Sequence, residues 1–332
     1  MPSFLSSETR NKTVTALAAV AAVLVAGWPT QAGAEPYPEK PIRLIVPSPP
    51  GGGTDTLSRL LANKLGEALQ WQIVVDNRPG AGGNIGLEAA SKSPADGYTI
   101  VMGESSNLTI NQALYAALPF DPAKDFAPIA LAGTVPLVLV TAADRPFNSV
   151  ASIVAAAKTK PLTFASSGNG TVGHLVGEIW KRSAGIELLH VPYKGAAPVM
   201  TDLMGGQVDM HFASLPAAVP LIKSGKLRAL AVTSAQRAAS LPDVPTLVES
   251  GYRDFDHRVL YGVLAPAGTP SATIARLNAE INRALQAPDM QVSFAKYGVE
   301  ARGGTPEEFA RFLAAERAKW ARAVKESGAK VD

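Results

Sequence analysis

Three consecutive glycines, Gly51 to Gly53, stand directly before Thr54 and Asp55. Beyond them Leu57, Leu60, Leu61 and Leu65 recur at helical spacing with polar residues between. The stretch in front, Ile42-Arg-Leu-Ile-Val46, has the composition of a short strand. A strand, a glycine turn and a helix in that order present free backbone N–H groups and a partial positive charge at the helix start. That chemistry suits an anion. Thr54 or Asp55 is the expected N-cap, and Asp55 could instead meet a ligand amine or an ordered water. A second turn of the same kind, Ser167-Gly-Asn-Gly-Thr-Val-Gly173, follows the strand predicted over Leu162–Ser166. It brings hydroxyls at Ser166, Ser167 and Thr171 and an amide at Asn169. If both turns lie at the C-terminal ends of parallel strands, they face each other across a cleft. Two helix starts then hold a carboxylate or dicarboxylate without a lysine.

Other chemistries fit these residues less well. A phosphate loop ends in Gly-Lys-Ser/Thr, and here the order is Gly-Thr-Asp. A dinucleotide fingerprint is approached, with Gly51-x-Gly53 and an acid at Asp76, but Thr56 occupies the position of its third glycine. The histidines are His174, His190, His211 and His257, none at zinc-ligand spacing. His174, just beyond the second turn, either faces a ligand or packs; His190 and His211 fall in strand patterns and are expected to be structural. Ser167-Gly-Asn-Gly lacks the first glycine of a nucleophile elbow. No catalytic residue, metal or cofactor is therefore expected.

The elements around the turns repeat one α/β plan. Strands are predicted over Gln72–Asp76 and Tyr98–Met102, with the glycine-rich turn Asn77–Asn84 and a helix from Ile85 to Ser91 between them. Asn107–Leu118 reads as helical. Ile129–Val140 is a long apolar extended stretch, with Pro136 suggesting an edge or a bend. Helices over Ser149–Lys158, Thr171–Ser183, Pro198–Met204 and Pro216–Ser224 alternate with strands over Leu162–Ser166, Leu188–Val191, Gln207–Phe212 and Leu227–Val232. Tyr261–Ala265 reads as a strand. Pro270 opens a helix to about Gln286, and Thr305-Pro-Glu-Glu308 is a capping box for a helix to about Ser327. Apolar strands alternating with helices predict largely parallel sheets covered by helices. Two segments, near 131–140 and 256–264, would cross between two lobes and make a hinge and a cleft.

The chain has 332 residues, 47% of them hydrophobic and 18% charged, enough for two domains and a large core. A net charge of +3 gives no reason to expect a nucleic-acid or membrane surface. The start is different. Arg10 and Lys12 precede an apolar run from Val14 to Gly27, and Ala32-Gly-Ala34 offers a cleavage site before Glu35. A signal peptide over 1–34, export to the periplasm and a soluble mature chain are expected. With no cysteine, the exported fold must rest on its core.

The chain resembles the periplasmic substrate-binding receptors of the tripartite tricarboxylate transporter family, often called Bug receptors. The resemblance spans essentially residues 37–328. It is carried by Tyr37-Pro-x-Lys-Pro-Ile-Arg43, Pro49-Pro-Gly-Gly-Gly-Thr-Asp55, Asn77-Arg-Pro-Gly-Ala-Gly-Gly-Asn84, Asp96-Gly-Tyr-Thr99, Asp121-Pro-x-Lys-Asp-Phe126, Gly168-Asn-Gly-Thr171, His190-Val-Pro-Tyr-Lys-Gly195, Gly206-Gln-Val-Asp209, Leu241-Pro-Asp-Val-Pro-Thr246 and Ala265-Pro-Ala-Gly-Thr-Pro270. It implies a Venus-flytrap fold of the periplasmic-binding-protein type, with 35–135 and 260–332 as one lobe, 136–259 as the other and two crossover strands. It implies a small organic carboxylate as ligand, a two-component membrane permease as partner, and a monomer. One ligand carboxylate would be held by backbone N–H groups and ordered waters at the first turn, with the Ser167–Thr171 loop touching it from the other lobe. The candidate set is Ser48, Pro50, Gly51, Gly52, Gly53, Thr54, Asp55, Ser167, Asn169, Gly170, Thr171, Ser214 and Arg258. Ser48 stands where such receptors commonly carry an aromatic, and Arg258-Val-Leu-Tyr-Gly262 replaces a Ser-Trp-x-Gly type of segment, with Leu260 near the usual Trp. The space could admit an aromatic or longer acid. Arg258 could take a distal carboxylate bidentately, or pair with Asp254 or Asp256. A sensory protein docking on a membrane kinase and an exported ester hydrolase are the alternatives.

Overall fold

The computed structural model describes residues 37–253, 255–329 and 331; the predicted leader lies outside them, and the fold below is that of Lys40–Asp332. Strand β1 (Ile42–Val46) runs into the glycine turn and helix α1 (Gly53–Leu69). α1 buries Leu57, Leu61 and Leu65 on one face, and Arg59 stays on its outer side. Strand β2 (Ile73–Asn77), helix α2 (Asn84–Ser91) and strand β3 (Thr99–Glu104) follow. The next segment is a π-helical turn over Ser106–Ile110 that passes into the short α3 (Asn111–Leu114), where a regular helix to Leu118 was expected.

Strand β4 (Phe126–Ala142) is the long extended stretch. Then come α4 (Val150–Ala157), β5 (Leu162–Ser166), α5 (Val172–Ala184), β6 (Leu188–Pro192), α6 (Ala196–Met204), β7 (Met210–Ser214), α7 (Leu215–Lys223) and β8 (Leu227–Val232). Strand β9 (Arg258–Pro266) returns toward the first strands and leads to α8 (Ser271–Gln286). Helix α9 (Pro288–Lys296) and strand β10 (Glu300–Gly303) were not anticipated, being short and weakly patterned; α10 (Pro306–Ser327) ends the fold. Its capping box is as predicted: Glu308 N–H donates to Thr305 Oγ1 and Thr305 N–H to Glu308 Oε2, an arrangement that stabilises a helix start by about 1 kcal/mol.

The strand order is β2-β1-β3-β9-β4-β7-β5-β6, with β10 and β8 also paired to β4. At each end the strands are parallel, β2 and β3 flanking β1, β6 and β7 flanking β5. In the middle β4 and β9 are antiparallel to their neighbours. The result is two lobes of the periplasmic-binding-protein type, joined through the long strand. Pro136 marks where that strand changes partners. β9 pairs with β4 up to Pro136↔Arg258, and β7 takes over at Leu137↔Ser214. A proline without an N–H costs little where the ladder is changing hands.

Helix α10 seals the first lobe. Phe309 and Leu313 pack in a cluster with Ile45, Val101, Leu260 and Leu264. Gly262 in β9 leaves the room that the Phe309 ring fills. Burying such a ring contributes roughly 1.5–3 kcal/mol.

Candidate functional site

A cavity of about 610 Å³ opens between the lobes. One wall is built by Ser48, Gly52, Gly53 and Thr54 with the turn Pro79–Gly83; the other by Ser167–Asn169, Thr171–Gly173 and Tyr193–Ala196. Glu104, Ser214 and Tyr261 also line it.

The first wall shows how the glycine turn is held. The N-cap of α1 is Gly52, with no side chain capping it, so neither Thr54 nor Asp55 takes the predicted N-cap position. Asp55 sits at the third helical position and reaches back. Its Oδ2 accepts the Gly51 N–H (2.9 Å), and its carboxylate also accepts from Arg59 Nε and Asn77 Nδ2. Burial pushes the Asp55 carboxyl up, and the bonds from Arg59, Gly51 and Asn77 outweigh it, leaving it below the usual carboxylate range. Asp55 is therefore an ionised brace that folds the turn back over the helix. The N–H groups of Gly53 and Thr54, in the first turn of α1, have no intrahelical carbonyl to bond, and both residues line the cavity.

The second wall rests on two histidines. Ser166 Oγ donates to the carbonyl of Gly168 (3.0 Å), so the 2.7 Å bond between Ser166 and His190 must be donated by His190 Nε2. Gly170 N–H donates to His174 Nδ1 (3.1 Å), and Thr171 Oγ1 accepts from His174 N–H as N-cap of α5. The two imidazoles stack with centroids 3.9 Å apart, and Phe164 lies against His190. Burial, with a smaller contribution from Lys181, pulls His174 down to about 4. Burial, then His174 and Lys181, pull His190 down to about 3. Both rings are neutral at physiological pH, and the loop over 166–171 hangs on their nitrogens.

Of the residues singled out from sequence, Ser48, Gly52, Gly53, Thr54, Ser167, Asn169, Thr171 and Ser214 line one cavity. Pro50, Gly51, Asp55, Gly170 and Arg258 are not among its lining residues. The N–H groups of Gly51 and Gly170 are spent on Asp55 and His174. The Arg258 guanidinium pairs with Asp256 (3.2 Å) and with Glu300 on β10 (2.6 Å); its other suggested partner, Asp254, lies outside the described residues. Leu260, at the position of the usual Trp, packs in the first lobe's core, and its neighbours Val259 and Tyr261 reach the cavity instead. His174 supports the loop and does not line the cavity, whereas His211 does, with Nδ1 2.9 Å from the carbonyl of Ala165.

Sequence reasoning passed over four contributors. The turn Pro79–Gly83 was noticed for its glycines and not assigned. Lys194, in the stretch Pro192–Gly195, is exposed, lines the cavity, and has no ion-pair partner among the described residues. Tyr261 hid inside a strand pattern. Glu104 was legible only as an acid ending an apolar strand, a signal at hand and unused.

Two lobes, a cleft between them and two helix starts on the cleft define an extracytoplasmic solute receptor. The family described as Tripartite tricarboxylate transporter family receptor matches residues 57–329, and the chain belongs to it. It is 39% identical over 323 residues to the protein BugT of Bordetella pertussis, covering 96% of this chain and 99% of that one. Among solved structures it is similar to R. palustris Rpa4515 with adipate (36% identity, TM-score 0.86, 89% of this chain and 100% of that one). It is also similar to MatC from Rhodopseudomonas palustris with bound malate (28% identity, TM-score 0.80, 87% of this chain and 100% of that one). The protein is a periplasmic receptor that captures a small organic carboxylate between its lobes.

Proposed function

We propose that the ligand is a dicarboxylate, and that the receptor hands it to a two-component membrane permease without altering it. The observation that carries this is the cavity itself, flanked on one wall by the first turn of α1 and on the other by the Ser167–Thr171 loop and the first turn of α5. One carboxylate sits against the N–H groups of Gly53 and Thr54 and the hydroxyl of Ser167; the Thr171 hydroxyl is spent on the Gly168 carbonyl. Lys194, on the second lobe, faces the distal carboxylate. The relatives with adipate and with malate support a ligand of this length and charge. Residues 35–135 with 260–332, and 136–259, are the two bodies that close on it, and the receptor works as a monomer.

Absence of chemistry is part of the same proposal. Ser166 and His190 have the contact of a nucleophile and its base, but Ser166 spends its proton on the Gly168 carbonyl and His190 is the donor. Ser166 is also fully buried. Among the described residues no group of three His, Asp or Glu side chains could hold a metal ion.

Thermal unfolding of the mature protein with adipate, malate and benzoate tests the reading. A ligand at about 100 times its Kd stabilises by about 2.7 kcal/mol, so a clear rise in Tm is expected with the dicarboxylates. No rise with any of the three rejects a carboxylate site of this size.

A further inference from the structure

An acid stands on the carboxylate-binding cavity. Glu104, the last residue of β3, lines it, and its Oε2 accepts the Thr54 hydroxyl at 2.6 Å. Its backbone N–H donates to Asn107 Oδ1, which fixes the strand end. No lysine or arginine pairs with Glu104 among the described residues. Directly across the ladder, Tyr261 of β9 is paired with it. Tyr261 is 2% exposed, lines the cavity, and its hydroxyl has no protein hydrogen-bond partner among the described residues. That hydroxyl lies 2.7 Å from where a Cβ on Gly53 would stand, so it adjoins the first turn of α1; the Ser214 hydroxyl is 3.9 Å from the same point. An unpaired acid, a buried phenol and a hydroxyl thus meet beside the N–H groups that attract an anion.

We propose that Glu104, with Tyr261, forms a proton-dependent subsite: the cleft takes up a carboxylate ligand together with one proton released by the buffer, and that proton sits on Glu104 so that its O–H donates to a ligand carboxylate oxygen. Thr54 has one hydroxyl proton and gives it to Oε2, so Oε1 is the oxygen left to carry the new one. Two carboxylates sharing a low-dielectric site do not both stay ionised; among the described residues no lysine or arginine pairs with Glu104, and Lys194, on the opposite lobe, is assigned to the ligand's other end. Burial already pushes the Glu104 carboxyl above its ordinary range, and the Thr54 bond only partly opposes that.

The other charged and titratable groups nearby are engaged or distant in role. On α1, Asp55 and Arg59 are paired with each other. On β7, His211 is tied to the Ala165 carbonyl and held neutral by burial. Tyr115 and Lys194 line the same cavity from elsewhere, and Tyr261 is the group that shares Glu104's field. The receptor would then favour a ligand that carries acceptor oxygens at this end over one that carries an ammonium.

This inference rests on the carboxylate reading of the cleft, and calorimetric titration with adipate separates the two. Titrating the parent in buffers of different ionisation enthalpy measures the protons taken up and needs no variant. Uptake of up to one proton per adipate is expected, with affinity falling by up to about tenfold per pH unit above Glu104's titration. Glu104→Gln carries a permanent donor; it is expected to take up no proton, to show a flat pH profile, and to bind adipate more tightly than the parent at about pH 8. Buffer-independent heats, or parallel pH profiles for the two proteins, overturn the proposal while adipate binding itself upholds the carboxylate site. A parent that binds aspartate in preference to malate, with the preference lost in Glu104→Gln, makes Glu104 an ionised partner for an ammonium and also overturns it. Failure of adipate, malate and aspartate alike rejects the carboxylate site and this subsite with it.

Discussion

The imidazole rings of His174 and His190 lie face to face, 3.9 Å apart and within 10° of parallel, one on α5 and the other on β6. One ring accepts the Gly170 N–H and the other donates to Ser166, so the pair holds both ends of the loop that lines the second wall. Only a neutral His174 keeps the Nδ1 lone pair that accepts the Gly170 N–H.

Acid should therefore loosen the second lobe. The unfolded chain protonates its histidines below about 6.5, whereas folded His174 stays neutral to about 4. Stability from this group is complete above the unfolded value and is lost as pH falls through the window between. By about pH 4 the loss from His174 alone is on the order of 3 kcal/mol. Urea unfolding from pH 7 to 4 measures it. His174→Gln, which can still accept from Gly170, should show a shallower acid limb; an unchanged limb would mean that the stack does not control it.

Gly52 tests the first wall. Its φ of −76° is open to any residue, and a Cβ there meets Pro49 O at an ordinary 3.6 Å. Gly52→Val should keep the circular dichroism spectrum, lose no more than about 1 kcal/mol of stability at the N-cap, and bind adipate at least about tenfold more weakly, or 1.4 kcal/mol, because the side chain occupies ligand space. Affinity equal to the parent's would take Gly52 out of the site.

Arg258 and Lys194 should part ways. The acids that hold Arg258 are half exposed, and such pairs are worth about 0.2–1 kcal/mol. Arg258→Ala is expected to cost that much stability and to change the affinities for adipate and hexanoate by the same factor. Lys194→Met should weaken adipate and spare hexanoate, the more so at low salt. Calorimetry with both acids on both variants decides it, and a selective loss of adipate in Arg258→Ala would return that guanidinium to the ligand.

Closure should be visible in solution. The lobes are joined through β4, whose partner changes at Pro136, a place where little ladder has to break for them to rotate. Small-angle scattering is expected to give a smaller radius of gyration with saturating adipate. An equal radius, with binding shown separately, would argue that the lobes move little.

Local chemistry was readable along the chain. The strand–glycine–helix unit at Ile42–Leu65, the glycine turn before the helix at Thr171 and the Thr305–Glu308 capping box depend on neighbours within a few residues, and such patterns survive in sequence. So did the family resemblance, because it is a string of such local motifs. Long-range choices were not readable. Asp55 was expected as a cap, but only the fold brings Asn77 to its carboxylate. Arg258 looked like a cleft cation, and only the pairing of β10 with β4 sets Glu300 beside it. Glu104 and Tyr261 are separated by 157 positions of sequence and meet because β3 and β9 lie in register. An acid's charge is decided by what surrounds it. Its solvent, its partners and the anion it will face are all assembled by packing, and packing is what a single strand of letters does not contain.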